Sequence, residues 1–213
     1  QAIKITKEKL SKDKSLIGFV GGFWTVMRFA IGQNKKNKEF QKFYSEYMQN
    51  TLYEALKINI KLQLDAGAEI VMMFDSGIHD LDNNFFQKEY AKLLSSIANL
   101  YPNKIGYYIR GKEYNHINHL LQLPFAGIGV DSDINLKNLF KDSKHGFTQG
   151  NFDETKLLLE PQNLTEELDK FSEHCMTFEN LNGWVCGLGH GINKNTPEKN
   201  VHLFIETIRK KFK

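Results

Sequence analysis

Short apolar runs alternate with longer amphipathic stretches along the chain. Leu16-Ile17-Gly18-Phe19-Val20 is an unbroken apolar run that stops at Gly21-Gly22. From Glu39 to Ala66, Phe40, Phe43, Tyr44, Tyr47, Leu52, Leu56, Ile60 and Leu64 recur near helical spacing, and Gly67 punctuates the end as a helix C-cap would. Ile70 to Phe74 is again continuously apolar and ends in Asp75-Ser76-Gly77. The same reading predicts a helix over 85–100, before Pro102, and a strand over 104–109. It continues with a helix over 114–121, a strand over 126–130 ending in Asp131, and a short helix over 135–140. A strand over 146–149 runs into Gly150-Asn151-Phe152-Asp153, followed by a helix over 164–178, a strand over 184–188 and a last helix over 199–212.

Strands that read as unbroken apolar runs, separated by helices, indicate a parallel sheet covered by helices. The unit repeats six times without a linker, a low-complexity tract or a break in composition, so residues 1–213 are expected to form one domain. The expected fold class is α/β, of the TIM (β/α)8-barrel type. An eightfold barrel takes about 250 residues, so the chain is expected to form an incomplete barrel lacking the first two β/α units. The start at Gln1, without an initiator Met, fits upstream sequence that was removed or never included. Polar residues gather just after the strands, at Asp75-Ser76, Asp131-Ser132, Gln149 to Asn151 and His190. In a barrel or an open parallel sheet, that edge is where sites are built.

Composition narrows the function classes. The chain carries 28 basic and 25 acidic residues, a formal charge of +3, with the signs interspersed. That argues against a nucleic-acid surface or an acidic tail. With 41% hydrophobic and 25% charged residues it has the mix of a globular protein rather than a disordered one. No run approaches the ~18 apolar residues of a membrane span, and residues 1–14 have no signal-peptide core. A cytoplasmic setting is expected. Cys175 and Cys186 are the only cysteines. With His174 they form a weak zinc pattern, and two ordinary thiols are the preferred reading. No metal is expected.

Individual motifs carry modest signals. Gly18 to Gly22 is glycine-rich but matches neither a P-loop nor G-x-G-x-x-G; a tight turn approached by a ligand is the better reading. Asp75-Ser76 supplies either an acid and a hydroxyl or a helix N-cap, and position alone does not separate these. Gly187-Leu188-Gly189-His190-Gly191 is sharper. A histidine between glycines at a strand end can bind an anion or shuttle a proton, whereas an idle surface histidine needs no flanking glycines. The remaining histidines, His79, His116, His119, His145, His174 and His202, read as ordinary surface or helix positions, with His79 the least settled. Phe19, Phe23, Phe29 and Phe74 could wall an apolar pocket, although core packing is the default for each.

Taken in order, these segments resemble the uroporphyrinogen decarboxylase family. Leu16 to Thr25 resembles its "IGF-x-G-x-P-(W/F)-T" segment, and Ala66-Gly67-Ala68 through Phe74-Asp75-Ser76 its "AGA…(F)(D/E)S". Gln149 to Asp153 is similar to "QGN-(L/V)-D-P", with Glu154 in place of the proline. Gly189-His190-Gly191 through Thr196-Pro197 and Asn200-Val201 is similar to "LGHG…P…NV".

The resemblance implies a (β/α)8 barrel, usually homodimeric, that works without metal or prosthetic group. It implies decarboxylation of the four acetate side chains of a tetrapyrrole, uroporphyrinogen III, to the methyls of coproporphyrinogen III. Carried over by position, Ser76 and His190 are the implied catalytic and substrate-contacting residues, and Phe19 and Phe74 the apolar walls. Phe29 stands where the family motif has a tyrosine, which removes a hydroxyl. The family's arginine-rich segment and its central aspartate have no counterpart here. The arginines are Arg28, Arg110 and Arg209, none in such a segment. A polyanionic substrate without cationic partners meets a large charge cost. The 213-residue chain alone is therefore expected to decarboxylate poorly and to associate through open strand edges. The alternative is an inactive barrel remnant that binds a tetrapyrrole or a partner chain. The zinc-using methyltransferases of the same fold need a His-x-Cys pair with a distant Cys, which the chain does not show.

Overall fold

The computed structural model describes residues 1–32, 44, 50–111, 114–142 and 146–213. Phe40, Phe43 and Tyr47 of the expected 39–66 helix, and His145, lie outside the described residues. Helix α1 (Ala2–Lys9) precedes β1 (Ile17–Gly21), α2 (Phe23–Ile31), α3 (Tyr53–Asp65) and β2 (Ile70–Asp75). A π-helical turn at Phe86–Tyr90 leads into α4 (Ala91–Leu100). Then follow β3 (Ile105–Ile109), α5 (Tyr114–Leu120), β4 (Gly127–Val130), α6 (Leu136–Asp142) and β5 (Phe147–Gln149). The chain ends with α7 (Pro161–Met176), β6 (Trp184–Val185) and α8 (Glu198–Lys211). The strands form a six-stranded sheet in chain order. The β1–β2, β2–β3 and β5–β6 pairs are parallel, so the alternation of apolar runs and helices is the β/α pattern expected. Among the described residues no helix is long and apolar enough to cross a membrane.

The chain divides into two compact units, residues 1–128 and 129–213. In the first, Val71 and Met73 of β2 pack with Trp24, Ile60, Phe86, Tyr90 and Leu94 in a core from which water is excluded. Phe23 belongs to that core, fully buried and stacked on Tyr53 at 5.9 Å. His116 is also buried, with its ring 3.8 Å from that of Phe86. At β1, Gln63 of α3 accepts from the Phe19 amide at 3.0 Å and donates to its carbonyl at 2.8 Å. These bonds occupy backbone groups that an open strand edge would offer to another chain.

Helix α2 has no local cap. Its N-cap is Gly22, which offers no side chain. Its first-turn amides are satisfied from elsewhere in the unit. Tyr90 Oη accepts from Trp24 N at 2.9 Å, and Asp75 Oδ1 accepts from Thr25 N at 2.9 Å. Asp75 is fully buried and also accepts from Thr25 Oγ1 at 2.8 Å, from Tyr107 Oη at 2.6 Å and from Tyr90 Oη. The close approach leaves no room for a side chain at position 22, where a Cβ would stand 2.3 Å from Asp75 Cγ. Asp75 is thus an N-cap delivered by β2 to a helix it does not precede.

In the second unit, Phe152, Leu157, Leu164, Leu168 and Phe204 form the core. Two buried amides tie loops to it. Asn151 Nδ2 donates to the Asp131 and Ile134 carbonyls at 2.6 and 2.7 Å. Asn200 Nδ2 donates to the Leu157 and Leu159 carbonyls at 2.9 and 2.8 Å. Gly189 lies against the Asp131–Ser132 backbone, where a Cβ would come within 2.5 Å of Ser132 N, whereas a Cβ at Gly191 meets open space. Of the two glycines flanking His190, only the first is sterically required.

Burial pushes the Asp75 carboxyl up from its ordinary 3.8, and its four donors offset this only in part. The folded state therefore holds that proton more tightly than the unfolded chain. This contribution is complete below about pH 4 and is lost as pH rises through the folded-state value. Urea unfolding of wild type and Asp75→Asn should show a stability difference that is most favourable to wild type at the acid end and declines with rising pH. Asp75→Ala, which strands the donors, should cost at least about 3 kcal/mol. Gly189→Ala should cost about 2 kcal/mol or more, because the obstacle is backbone, while Gly191→Ala stays within about 0.5 kcal/mol in the same assay.

Candidate functional site

Ser76 follows β2 directly and is half-buried. Its loop is fixed from α2: the Gly77 amide donates to Thr25 Oγ1 at 2.9 Å, and that hydroxyl donates to Asp75. Thr25 is thus held at both ends, and through it the buried carboxyl sets the position of Ser76. No hydrogen bond occupies the Ser76 hydroxyl among the described residues. Beside it opens a cavity of about 290 Å³, bounded by Thr25, Arg28 and Phe29 of α2, by Ser76, Gly77, His79 and Asp80, and by Arg110. Phe29, 68% exposed, joins Ser76 on this cavity and gives it one apolar side.

The charges around the cavity are partly matched. Arg28 pairs with Asp80 Oδ2, and His79 Nε2 stands 3.0 Å from Asp80 Oδ1. His79 Nδ1 lies 2.8 Å from the Ser76 carbonyl, so both ring nitrogens face acceptors. A neutral ring satisfies only one of them at a time. Two of the chain's three arginines therefore stand on one small cavity. The sequence reading missed Arg28, His79 and Arg110 as site residues. Arg110 follows β3 as Ser76 follows β2, so the strand-end rule that singled out Ser76 applies to it equally.

Phe19 and Phe74 lie elsewhere in the unit. Their rings meet edge to face at 6.4 Å, and Phe74 continues to Tyr108 at 5.7 Å. Phe19 is 70% exposed and Phe74 38%, so three adjacent strands present an aromatic row. Neither ring lines the cavity beside Ser76.

His190 belongs to the second unit, exposed at the end of the Gly187 to Gly189 segment. Among the described residues it has no hydrogen-bond partner. The same unit holds a cavity of about 460 Å³ bounded by residues 132–136, by Asn151 to Asp153, by Lys156 and by Glu167, Lys170, Phe171 and His174 of α7. Its polar groups are largely committed. Glu167 accepts from Lys170 at 2.8 Å and pairs with Lys156 at 3.3 Å, and Asp153 caps the following turn through Thr155. Cys175 and Cys186 are free thiols, each pushed up to about 12 by burial, and so remain protonated near neutral pH.

The family described as uroporphyrinogen decarboxylase (URO-D) matches residues 1–211. Uroporphyrinogen decarboxylase of Orientia tsutsugamushi (strain Ikeda) is 31% identical over 223 aligned residues, covering 98% of this chain and 64% of that protein. The Hydrogenobaculum sp. (strain Y04AAS1) protein of the same name is 29% identical, covering 98% of this chain and 62% of its own. The chain thus spans less than two thirds of the length of these relatives. Among solved structures, a methyltransferase from Methanosarcina mazei superposes with a TM-score of 0.78 at 21% identity, over 100% of this chain and 63% of that one. At that identity the likeness concerns the fold alone. A match running almost end to end, onto a parallel β/α sheet with Ser76 at a strand terminus, leaves one assignment: the chain belongs to the uroporphyrinogen decarboxylase family.

Proposed function

We propose that the chain supplies part of the active site of a uroporphyrinogen decarboxylase, acting on the acetate side chains of uroporphyrinogen III to yield coproporphyrinogen III. The observation that carries this reading is the free Ser76 hydroxyl on a cavity that also holds Arg28 and Arg110. These are donors suited to a carboxylate, beside an apolar ring. The cationic partners that the sequence left wanting are thus met in part by the folded chain.

In this reading Ser76 donates a hydrogen bond to a substrate carboxylate. His190 binds another acidic side chain or delivers a proton. Phe29 makes an apolar side near Ser76, and Phe19 with Phe74 forms a surface against which a flat pyrrole ring can lie. The reaction is a protonation of a ring carbon of the electron-rich pyrrole, loss of carbon dioxide from its acetate with the bonding pair passing to the ring, protonation of the resulting methylene, and release of the added ring proton to restore the pyrrole. A carboxylate held by fixed donors, away from bulk water, is oriented for that bond to break. No metal or prosthetic group is required for these steps. The homodimer that the family resemblance implies, a cytoplasmic setting and the union of residues 1–213 in one barrel domain belong to the same proposal.

One observation favours a second reading, tetrapyrrole binding without turnover. Phe29 presents no hydroxyl to the cavity where the family motif has a tyrosine.

Anaerobic incubation with uroporphyrinogen III, followed by chromatography of the oxidised porphyrins, tests both readings. The first expects products with fewer carboxylates, and Ser76→Ala should lower kcat/KM roughly tenfold to a hundredfold, the value of a hydrogen bond to a charged group. Phe29→Tyr should raise turnover. Tight porphyrin binding with no turnover in either protein moves the chain to the second reading. Neither binding nor turnover would overturn both.

A further inference from the structure

We infer that Arg110 and Ser76 form a receptor for a single carboxylate, with Arg110 as the charged contact and Asp80 as the residue that keeps Arg28 out of it. The inference rests on the tetrapyrrole reading only for the identity of the molecule that carries the carboxylate.

The placement comes from strand register. Asp75 of β2 is paired with Ile109 of β3, so Ser76 and Arg110 are the next residues on two adjacent parallel strands. Both face the 290 Å³ cavity. That volume is at the low end for small-molecule pockets. It is too small for a macrocycle and sufficient for one carboxymethyl or carboxyethyl arm.

The charges select an anion. Among the described residues Asp80 is the one acidic side chain on the cavity, and each of its oxygens has a partner, one in Arg28 and the other facing His79. Arg110 has no ion pair or hydrogen bond among the described residues. With Arg28 and Asp80 cancelling, Arg110 gives the described lining of the cavity a surplus positive charge. The other donors are spent: the Gly77 amide goes to Thr25, and the Thr25 hydroxyl to Asp75. The Arg110 guanidinium fork and the Ser76 hydroxyl carry no such commitment among the described residues. A planar fork matches a carboxylate through two parallel N–H···O bonds, which an ammonium does not reproduce.

The chain's three arginines make the test direct, because each side-chain Nε–H signal can be assigned by substitution. Titration of the 15N-labelled protein with succinate should shift the Arg110 signal saturably, leave Arg209 unmoved and be absent with neutral succinamide. Equal response of all three signals, or none, would overturn the receptor. Porphyrin binding is measured separately, by fluorescence titration with uroporphyrin I. Arg110→Gln should weaken it about tenfold or more, Arg110→Lys should recover only part, and Arg209→Gln should have no effect. If Ser76→Ala weakens uroporphyrin binding but Arg110→Gln does not, the assignment of Arg110 fails while the tetrapyrrole reading stands. If succinate shifts Arg110 but uroporphyrin does not bind, the carboxylate receptor stands and the tetrapyrrole reading fails.

Discussion

A buried carboxyl governs the geometry of the Ser76 site. Asp75 sits in a water-free core, where an unpaired charge or an unmet acceptor is costly. Its donors come from separate parts of the first unit: Thr25 from α2, Tyr90 from the π-helical turn and Tyr107 from β3. Each must arrive in place for the carboxyl to be accommodated, so the network fixes α2 against the end of β2. The next residue in the chain is Ser76. Its position is inherited from that network, because Thr25 bonds Asp75 with one side of its hydroxyl and receives the Gly77 amide with the other. A site residue on a loop gains precision when its neighbours are locked by buried hydrogen bonds.

The second unit uses the same device with neutral groups. Asn151 holds the turn after β4 by donating to two of its carbonyls, and Asn200 does the same for the segment before α7. Part of the Gln149 to Asp153 motif is therefore scaffold: Asn151 anchors a loop and Asp153 caps a turn. Gly189 lets the His190 segment press against the Asp131–Ser132 backbone. The exposed imidazole is carried on a segment braced from behind.

The strands could be read from the sequence because a strand buried on both faces must be continuously apolar. Ile70 to Phe74 and Ala126 to Val130 leave little choice. The long helices α3, α7 and α8 could be read because their apolar spacing repeats over several turns. Helix α2 could not. Its sequence is apolar on nearly every side, it begins at a glycine, and its caps come from residues 50 and 66 positions away. The 85–100 helix was expected to be regular, and its π-helical turn places Tyr90 in the Asp75 network, a tertiary demand that no local propensity encodes. At the site, Ser76 was visible through its motif and strand end. Arg110 stands at a strand end as well, but its place beside Ser76 follows only from β2–β3 register.

Register is also what separates fold from chemistry in this chain. The methyltransferase from Methanosarcina mazei shares the architecture at 21% identity, so the sheet alone does not choose a reaction. In this chain, charge is distributed over two neighbouring strand ends. Arginine at the end of β3 would be wasted if Asp80 could reach it as well as Arg28. Arg28 and His79 occupy opposite oxygens of Asp80, and among the described residues Arg110 on the adjacent strand carries no ion pair. An uncompensated guanidinium beside a free hydroxyl, in a cavity with an apolar ring on one side, is a poor element of stability and a good element of recognition. Its electrostatic energy is realised only when an anion arrives. In the proposed receptor, specificity would arise from a pairing that holds Arg28 on Asp80 as much as from the Arg110 guanidinium itself.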